Sequence, residues 1–462
     1  MRRINITRLS LSSWGILILS SFLLTLTPFV TPLFSCIDAF VFVGLIAYSL
    51  IYSKFYVHTY YLYYIILFFY LKSVIYYFNL YEENFSLGYL QFASNENIIK
   101  SVNITSSIII VILLFLIFGH RLFKYDIKFF PKNCVHITKQ LINVSFYYTL
   151  FYQIIRRYFN YDYAGYNNIN IAGYGPIFIN MEMFNVVCLL YLIYAFTISK
   201  GNIYGIKTKF YVALAIYCLS ETIAGWKAAA TTMILFSIIA FIRENKDKNI
   251  SLVKIAVSSL IFFLLYSAGD FFRQINRFDV SLVDIFNLIS IDSQFVTQKF
   301  LHIFYRMLGI ETLLPIVNDL NAALDSSINY SQITEYYTYT VQGTDSASFT
   351  SNSPGFISEN IMYFKNYYWI VSIALTITYF LLTRLMQTEN LFVFLITLRT
   401  HMLILSWLVA GNGWQVFVRV PFLLFYAMVF YYFSSVSVVV LNKETRREMN
   451  DRDAVLLGLR EG

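Results

Sequence analysis

The feature that most constrains this chain is a succession of long apolar blocks separated by short polar breaks. A helix that crosses a bilayer needs about 20 predominantly apolar residues, because each residue rises about 1.5 Å and the hydrocarbon core is about 30 Å thick. Blocks of this kind lie near residues 13 to 30, 36 to 53, 58 to 78, 102 to 119, 138 to 155, 178 to 198, 209 to 223, 227 to 242, 252 to 269, 367 to 383, 390 to 409 and 415 to 440. The composition agrees: 58% of the 462 residues are apolar and only 13% are charged. A soluble fold cannot cover that much apolar surface, so a secreted, nucleic-acid-binding or cytosolic globular domain is excluded. The fold class expected is all-α, a polytopic membrane protein with about 12 transmembrane helices. The first block follows Met1-Arg2-Arg3 but ends at no small-residue cleavage site, and a second block follows at once, so it reads as a retained helix.

An even number of spans puts both termini on one side, and the positive-inside rule identifies that side. The N-terminus and segments 54 to 57, 120 to 137, 199 to 209, 243 to 254, 384 to 389 and 441 to 462 together hold 21 Lys+Arg against 9 Asp+Glu. The rest of the chain holds 13 against 17. The formal charge of +8 is therefore +12 on the face read as cytoplasmic and −4 elsewhere. Most of the basicity sets orientation and says nothing about an anionic partner.

This orientation divides the chain into helices over 1–269, an outer loop over 270–366, helices over 367–440 and a cytoplasmic tail over 441–462. A loop of 97 residues is far above ordinary connection lengths and is expected to be functional. From Ser281 to Asp319 apolar residues recur at helical spacing (Leu282, Ile285, Phe286 and Ile289, then Leu301, Phe304, Tyr305 and Leu308), and Ser281 with Asp284 forms a capping-box signature. The expectation is amphipathic helices lying on the outer rim. Residues 325 to 354, rich in Ser, Thr, Asn and Tyr, have no such period and read as a lid or a glycan-facing loop.

Cys36, Cys134, Cys188 and Cys218 show no CxxC or Cys/His spacing, and the chain has no P-loop, no dinucleotide-type glycine fingerprint and no DxD pair. No metal and no cofactor are expected. The informative residues are cations near the outer ends of the spans, where an ionisable group usually marks a partner or a hydrated cavity. Lys227 opens a span just after Ala224-Gly225-Trp226. Arg273 and Arg277 lie one helical turn apart after Asp270, Arg306 sits in a rim helix, Arg399 is mid-span, and Arg419 lies below the turn Gly411-Asn412-Gly413-Trp414.

Each has a plain reading: Arg273 and Arg277 pair with Asp270 or lipid phosphate, Arg306 is a solvated rim charge, Lys227 snorkels, and Arg399 and Arg419 pair with a residue such as Glu221. Arg156 and Arg157 read only as interface charges. The sharper hypothesis is that several of these cations converge on one diphosphate at the outer leaflet. Guanidinium forks bind phosphate oxygens bidentately and stay charged at low dielectric, and they stabilise a diphosphate leaving group.

Several segments resemble, in order and character, the Wzy-type polymerases of bacterial O-antigen, enterobacterial common antigen and capsule repeat units. They are Ala224-Gly225-Trp226-Lys227-Ala228-Ala229-Ala230, Asp270-Phe271-Phe272-Arg273, Tyr305-Arg306-Met307-Leu308-Gly309-Ile310-Glu311, Ser353-Pro354-Gly355-Phe356-Ile357-Ser358-Glu359, and Gly411-Asn412-Gly413-Trp414 with Arg419 below. The likeness covers residues 215 to 440. Lys stands at 227 where Arg is usual, and the Arg-x10-Gly pattern of some members is absent.

The resemblance implies a GT-C-like fold in the bacterial inner membrane and polymerisation of undecaprenyl-diphosphate-linked oligosaccharide at the periplasmic face. A chain-length regulator protein is then a possible partner, besides the lipid bilayer. It also implies that Lys227, Arg273, Arg277, Arg306 and Arg419 hold the donor diphosphate, with Arg306 catalytic as well and Glu359 as the base preferred over Glu221, Asp270, Glu182 and His302. Two other readings stand beside it: an O-antigen ligase-like oligosaccharyltransferase and a lipid-linked oligosaccharide flippase.

Overall fold

The computed structural model describes residues 36–51, 57–80, 91–118, 135–158, 175–223, 227–244, 309–325, 337, 355–385, 389–410 and 416–435. Among the described residues the protein is all-helical, without strands. The helices are α1 (Cys36–Ile51), α2 (Val57–Ile65), which runs through a π-helical stretch (Ile66–Leu71) into α3 (Lys72–Tyr77), α4 (Asn95–Phe118), α5 (Lys139–Tyr158), α6 (Gly175–Ser199), α7 (Ile206–Ile223), α8 (Lys227–Glu244), α9 (Leu314–Asn318), α10 (Leu320–Asp325), α11 (Phe356–Phe364), α12 (Tyr368–Leu385), α13 (Leu391–Ala410) and α14 (Val416–Ser435). Every predicted span falls on a helix except 13 to 30 and 252 to 269, which lie outside the described residues. Within α4, α6, α13 and α14 the stretches Asn95–Leu116, Ile177–Ser199, Leu391–Leu408 and Val416–Ser435 are long and apolar enough to cross a membrane. The protein is a helical membrane protein.

Helix starts follow local chemistry. Ser94, Thr138 and Asn390 each aim a side-chain oxygen at a first-turn amide, of Asn97 (3.2 Å), Leu141 (3.3 Å) and Val393 (3.1 Å), satisfying donors that the helix itself cannot. α11 starts differently. Gly355 has φ +76°, a conformation that favours glycine, and lies against the Thr312 side chain so closely that an added Cβ would collide with it.

The chain forms two compact units. The first contains Met1–Ile127, Ser290–Met386 and His401–Val416. Its hub is α4, against which α1, α3, α9 and α12 pack. Ile98, Val102, Ile109, Ile112 and Leu116 of α4 are buried, and Ser106 is hydrogen-bonded to the Tyr70 hydroxyl at 2.7 Å.

Into this unit enters the segment from Gly309 to Asn318. The periodicity of 281 to 319 predicts a one-sided rim helix, but residues 310 to 317 are buried on every side. Leu313, Leu314, Ile316 and Val317 give the segment an apolar surface to bury, and its carboxylate can go with them because Lys72, the first residue after the π-helical stretch, forms a buried salt bridge with Glu311. A carboxylate met by a cation can leave the aqueous rim. Gly309 fits because its Cα lies against the Phe68 carbonyl, where a side chain has no room, and Asn97 Nδ2 donates to Asn318 Oδ1 at 3.0 Å.

The second unit contains Lys128–Ile289, Gln387–Thr400 and Phe417–Gly462. α6 is its hub, with α5, α7 and α8 packed on it. The run Val186 to Ala195 is buried residue after residue, the pattern of a helix surrounded by protein. Tyr191 Oη accepts from the Thr138 amide (3.1 Å) and donates to the His136 carbonyl (3.0 Å), while Tyr194 Oη donates to the Val135 carbonyl (2.6 Å). Phe392 and Phe430 pack on Tyr191 with ring centroids at 5.7 and 5.3 Å. Aromatic packing thus fills the end of the unit where α5 begins. On α14, Phe417, Phe425, Met428, Tyr432 and Phe433 are exposed, a lipid-compatible face.

Candidate functional site

Polar side chains in the second unit gather where α5 ends. Thr149, Gln153 and Arg156 lie on one face of α5 at i, i+4 and i+7, and Glu182 and Asn185 lie one turn apart on α6. α7 adds Tyr217 and Glu221, α13 adds Arg399 and α14 adds Arg419. Arg156 forms a buried salt bridge with Glu221, the two side chains being 7% and 4% exposed. Arg419 Nη2 donates to Glu182 Oε2 at 3.3 Å in a more open setting, 25% and 21% exposed.

Tyr217 lies within electrostatic reach of Glu221, Arg399, Arg156 and Glu182, and Arg399 within reach of Tyr217, Glu182, Arg419 and Glu221. These side chains are one cluster. Among the described residues it contains three guanidinium groups and two carboxylates, one positive charge more than negative. The Nε atoms of Arg399 and Arg419 are sealed from solvent and have no hydrogen-bond partner among the described residues. A charged residue at the centre of a span costs about 2.5–3.5 kcal/mol on insertion scales, so an uncompensated cation there is expected to meet an anion, carbonyls or water.

The first unit holds a second polar centre. Lys72 and Glu311 are 0% and 1% exposed, and Lys72 Nζ lies 5.5 Å from the Phe68 ring centroid. Burial pushes the Glu311 carboxyl above the ordinary carboxylate range, and Lys72 pulls it back. Nearby, the Thr312 carbonyl accepts from Tyr337 Oη (2.6 Å) and Ser358 Oγ (2.8 Å), fastening the returning chain to the inserted segment.

The candidate residues read from sequence fall as follows. Arg419 is in the cluster of the second unit. Glu359 is buried near the start of α11 in the first unit, where Trp407 Nε1 donates to its Oε2 at 3.0 Å and Phe356 packs edge-on against the Trp407 ring at 5.1 Å. Lys227 is the first residue of α8 in the second unit, with its side chain outside the described residues. Arg273, Arg277 and Arg306 lie outside them altogether.

Arg399 and Arg419 stand out in the sequence as charges within spans. The structure pairs Arg419 with Glu182 rather than Glu221, and it pairs Glu221 with Arg156, which reads from sequence only as an interface charge. Lys72, Gln153 and Asn185 are additions. Lys72 carried a signal, as the lone charge in the apolar block 58 to 78. Among the described residues no group of His, Cys, Asp or Glu is placed to hold a metal ion. No family model, curated protein or solved structure matches the chain.

Proposed function

We propose that the protein is a glycosyltransferase of the bacterial inner membrane that polymerises undecaprenyl-diphosphate-linked oligosaccharide repeat units at the periplasmic face. In this reading about 12 spans in a GT-C-like arrangement leave both termini in the cytoplasm. The growing glycan passes from its lipid diphosphate to the terminal sugar hydroxyl of an incoming repeat. One observation carries the reading: among the described residues, Arg156, Arg399 and Arg419 converge from three helices on Glu182 and Glu221, and the Nε atoms of Arg399 and Arg419 have no hydrogen-bond partner there. An excess cation with free donors matches a bound anion.

A diphosphate departing from a sugar gathers negative charge, which preorganised guanidinium groups stabilise more in the transition state than in the ground state. Lys227, Arg273, Arg277 and Arg306 would complete the diphosphate site from the segments that resemble the polymerase family, and Glu359 would deprotonate the acceptor hydroxyl. A chain-length regulator would act on the product distribution.

Purified protein given lipid-linked repeat units tests this directly, with the expected product a ladder of chain lengths. A single transfer to a different acceptor would instead identify an oligosaccharyltransferase of the ligase kind. Translocation of the lipid-linked unit without any new glycosidic bond would identify a flippase.

A further inference from the structure

The excess charge accounts for the guanidinium groups, but not for the uncharged polar groups beside them. Gln153 is 4% exposed and Asn185 fully buried, yet the oxygen and nitrogen of both amides have no hydrogen-bond partner among the described residues. Thr149 Oγ1 and Thr222 Oγ1 are buried without partners as well. Natural interiors rarely leave such groups unpaired, and a side-chain amide presents two donors and an acceptor oxygen at once. Gln153 stands one turn before Arg156 on the same face of α5, Asn185 one turn after Glu182 on α6, and α5 packs against α6.

We propose that Gln153 and Asn185, with Thr149, form a subsite for a sugar of the lipid-diphosphate-linked oligosaccharide. A sugar hydroxyl both donates and accepts, so it uses both halves of an amide. A phosphate uses only the N–H half and leaves the amide oxygen without a donor. The two residue types divide the substrate: guanidinium groups take the diphosphate and amides read the saccharide. This rests on the glycosyl-transfer reading above. A site built to hydrogen-bond a hydroxyl discriminates sharply against a ligand lacking it, because its own groups are then left unpaired.

The test compares two probes on the purified full chain: bare polyprenyl diphosphate, and the lipid-diphosphate-linked oligosaccharide extracted from the cells that make the protein. The wild type is expected to bind the saccharide-bearing lipid at least about tenfold more tightly. Gln153→Met and Asn185→Leu, which keep the branching or length of the side chain and remove the amides, should each lose about tenfold for that lipid. Their affinity for bare polyprenyl diphosphate and their thermal unfolding should not fall. If Asn185→Leu does not fold, Asn185→Ala carries the same expectation.

Variants that keep the full preference would overturn the subsite and leave the amides to internal water. Equal wild-type affinity for both probes would overturn it too, with the glycosyl-transfer reading intact. Binding of neither probe would remove both.

Discussion

The two units each bury charge in a bundle of apolar helices, and they balance it differently. In the first, one lysine meets one glutamate, both sealed, and the pair fixes an inserted loop segment in place. In the second, three arginines meet two glutamates among the described residues, and the Arg419–Glu182 pair is about a quarter exposed. A balanced, closed pair has no charge left to offer and serves position. An unbalanced, partly open cluster requires something further. Charge balance together with access, and not the mere presence of a buried ion pair, separates scaffold from site.

Variants in the closed centre should break this contrast most strongly through stability. Lys72→Met leaves Glu311 buried without its cation and should cost about 3–5 kcal/mol, seen as lost yield and a lower unfolding temperature in detergent. Adding Glu311→Leu to it should restore most of the loss, because removing both charges also removes their desolvation. A neutral single variant would show that the pair does not hold the inserted segment.

In the open cluster the same kind of change should spare folding and remove activity. Arg419→Ala is expected to lower polymerisation by about 10²- to 10³-fold, the usual effect of deleting one transition-state donor, with membrane insertion unchanged. Chain length near normal on a glycan gel would take Arg419 out of the site. Glu359→Gln sharpens the comparison from the other unit: the amide oxygen still accepts from Trp407, so stability should hold. A base role predicts a loss of about 10²-fold in chain growth, and wild-type rates would make Glu359 purely a partner of the indole.

Smallest is Gly355→Ala, where a Cβ meets Thr312 at positive φ. It should cost about 1–3 kcal/mol of stability, read by thermal unfolding. No shift there would mean that the start of α11 can move without loss.

Much of the helical framework was legible in the sequence, because an apolar block of bilayer length has few other conformations open to it. The odd charges Arg399 and Arg419 were legible for the same reason. Their partners were not. Which carboxylate an arginine meets depends on which helices are neighbours and how each is rotated, and apolar length encodes neither. Arg156 shows the difficulty: at the end of a span, a guanidinium facing lipid and one facing a buried glutamate have the same sequence appearance. Lys72 escaped notice because its partner lies in a different part of the sequence, on a loop whose helical period suggested an aqueous rim. Gln153 and Asn185 are neutral residues in helices of ordinary composition, and only the lack of partners in three dimensions makes them conspicuous.

The Thr312 carbonyl takes hydrogen bonds from two residues far along the chain, Tyr337 and Ser358. The two donors stand 25 and 46 residues further along the chain, so two separate returns are fastened at a single carbonyl. One backbone atom thus acts as a double hitch, and a local shift at Thr312 would slacken two distant returns of the chain at once.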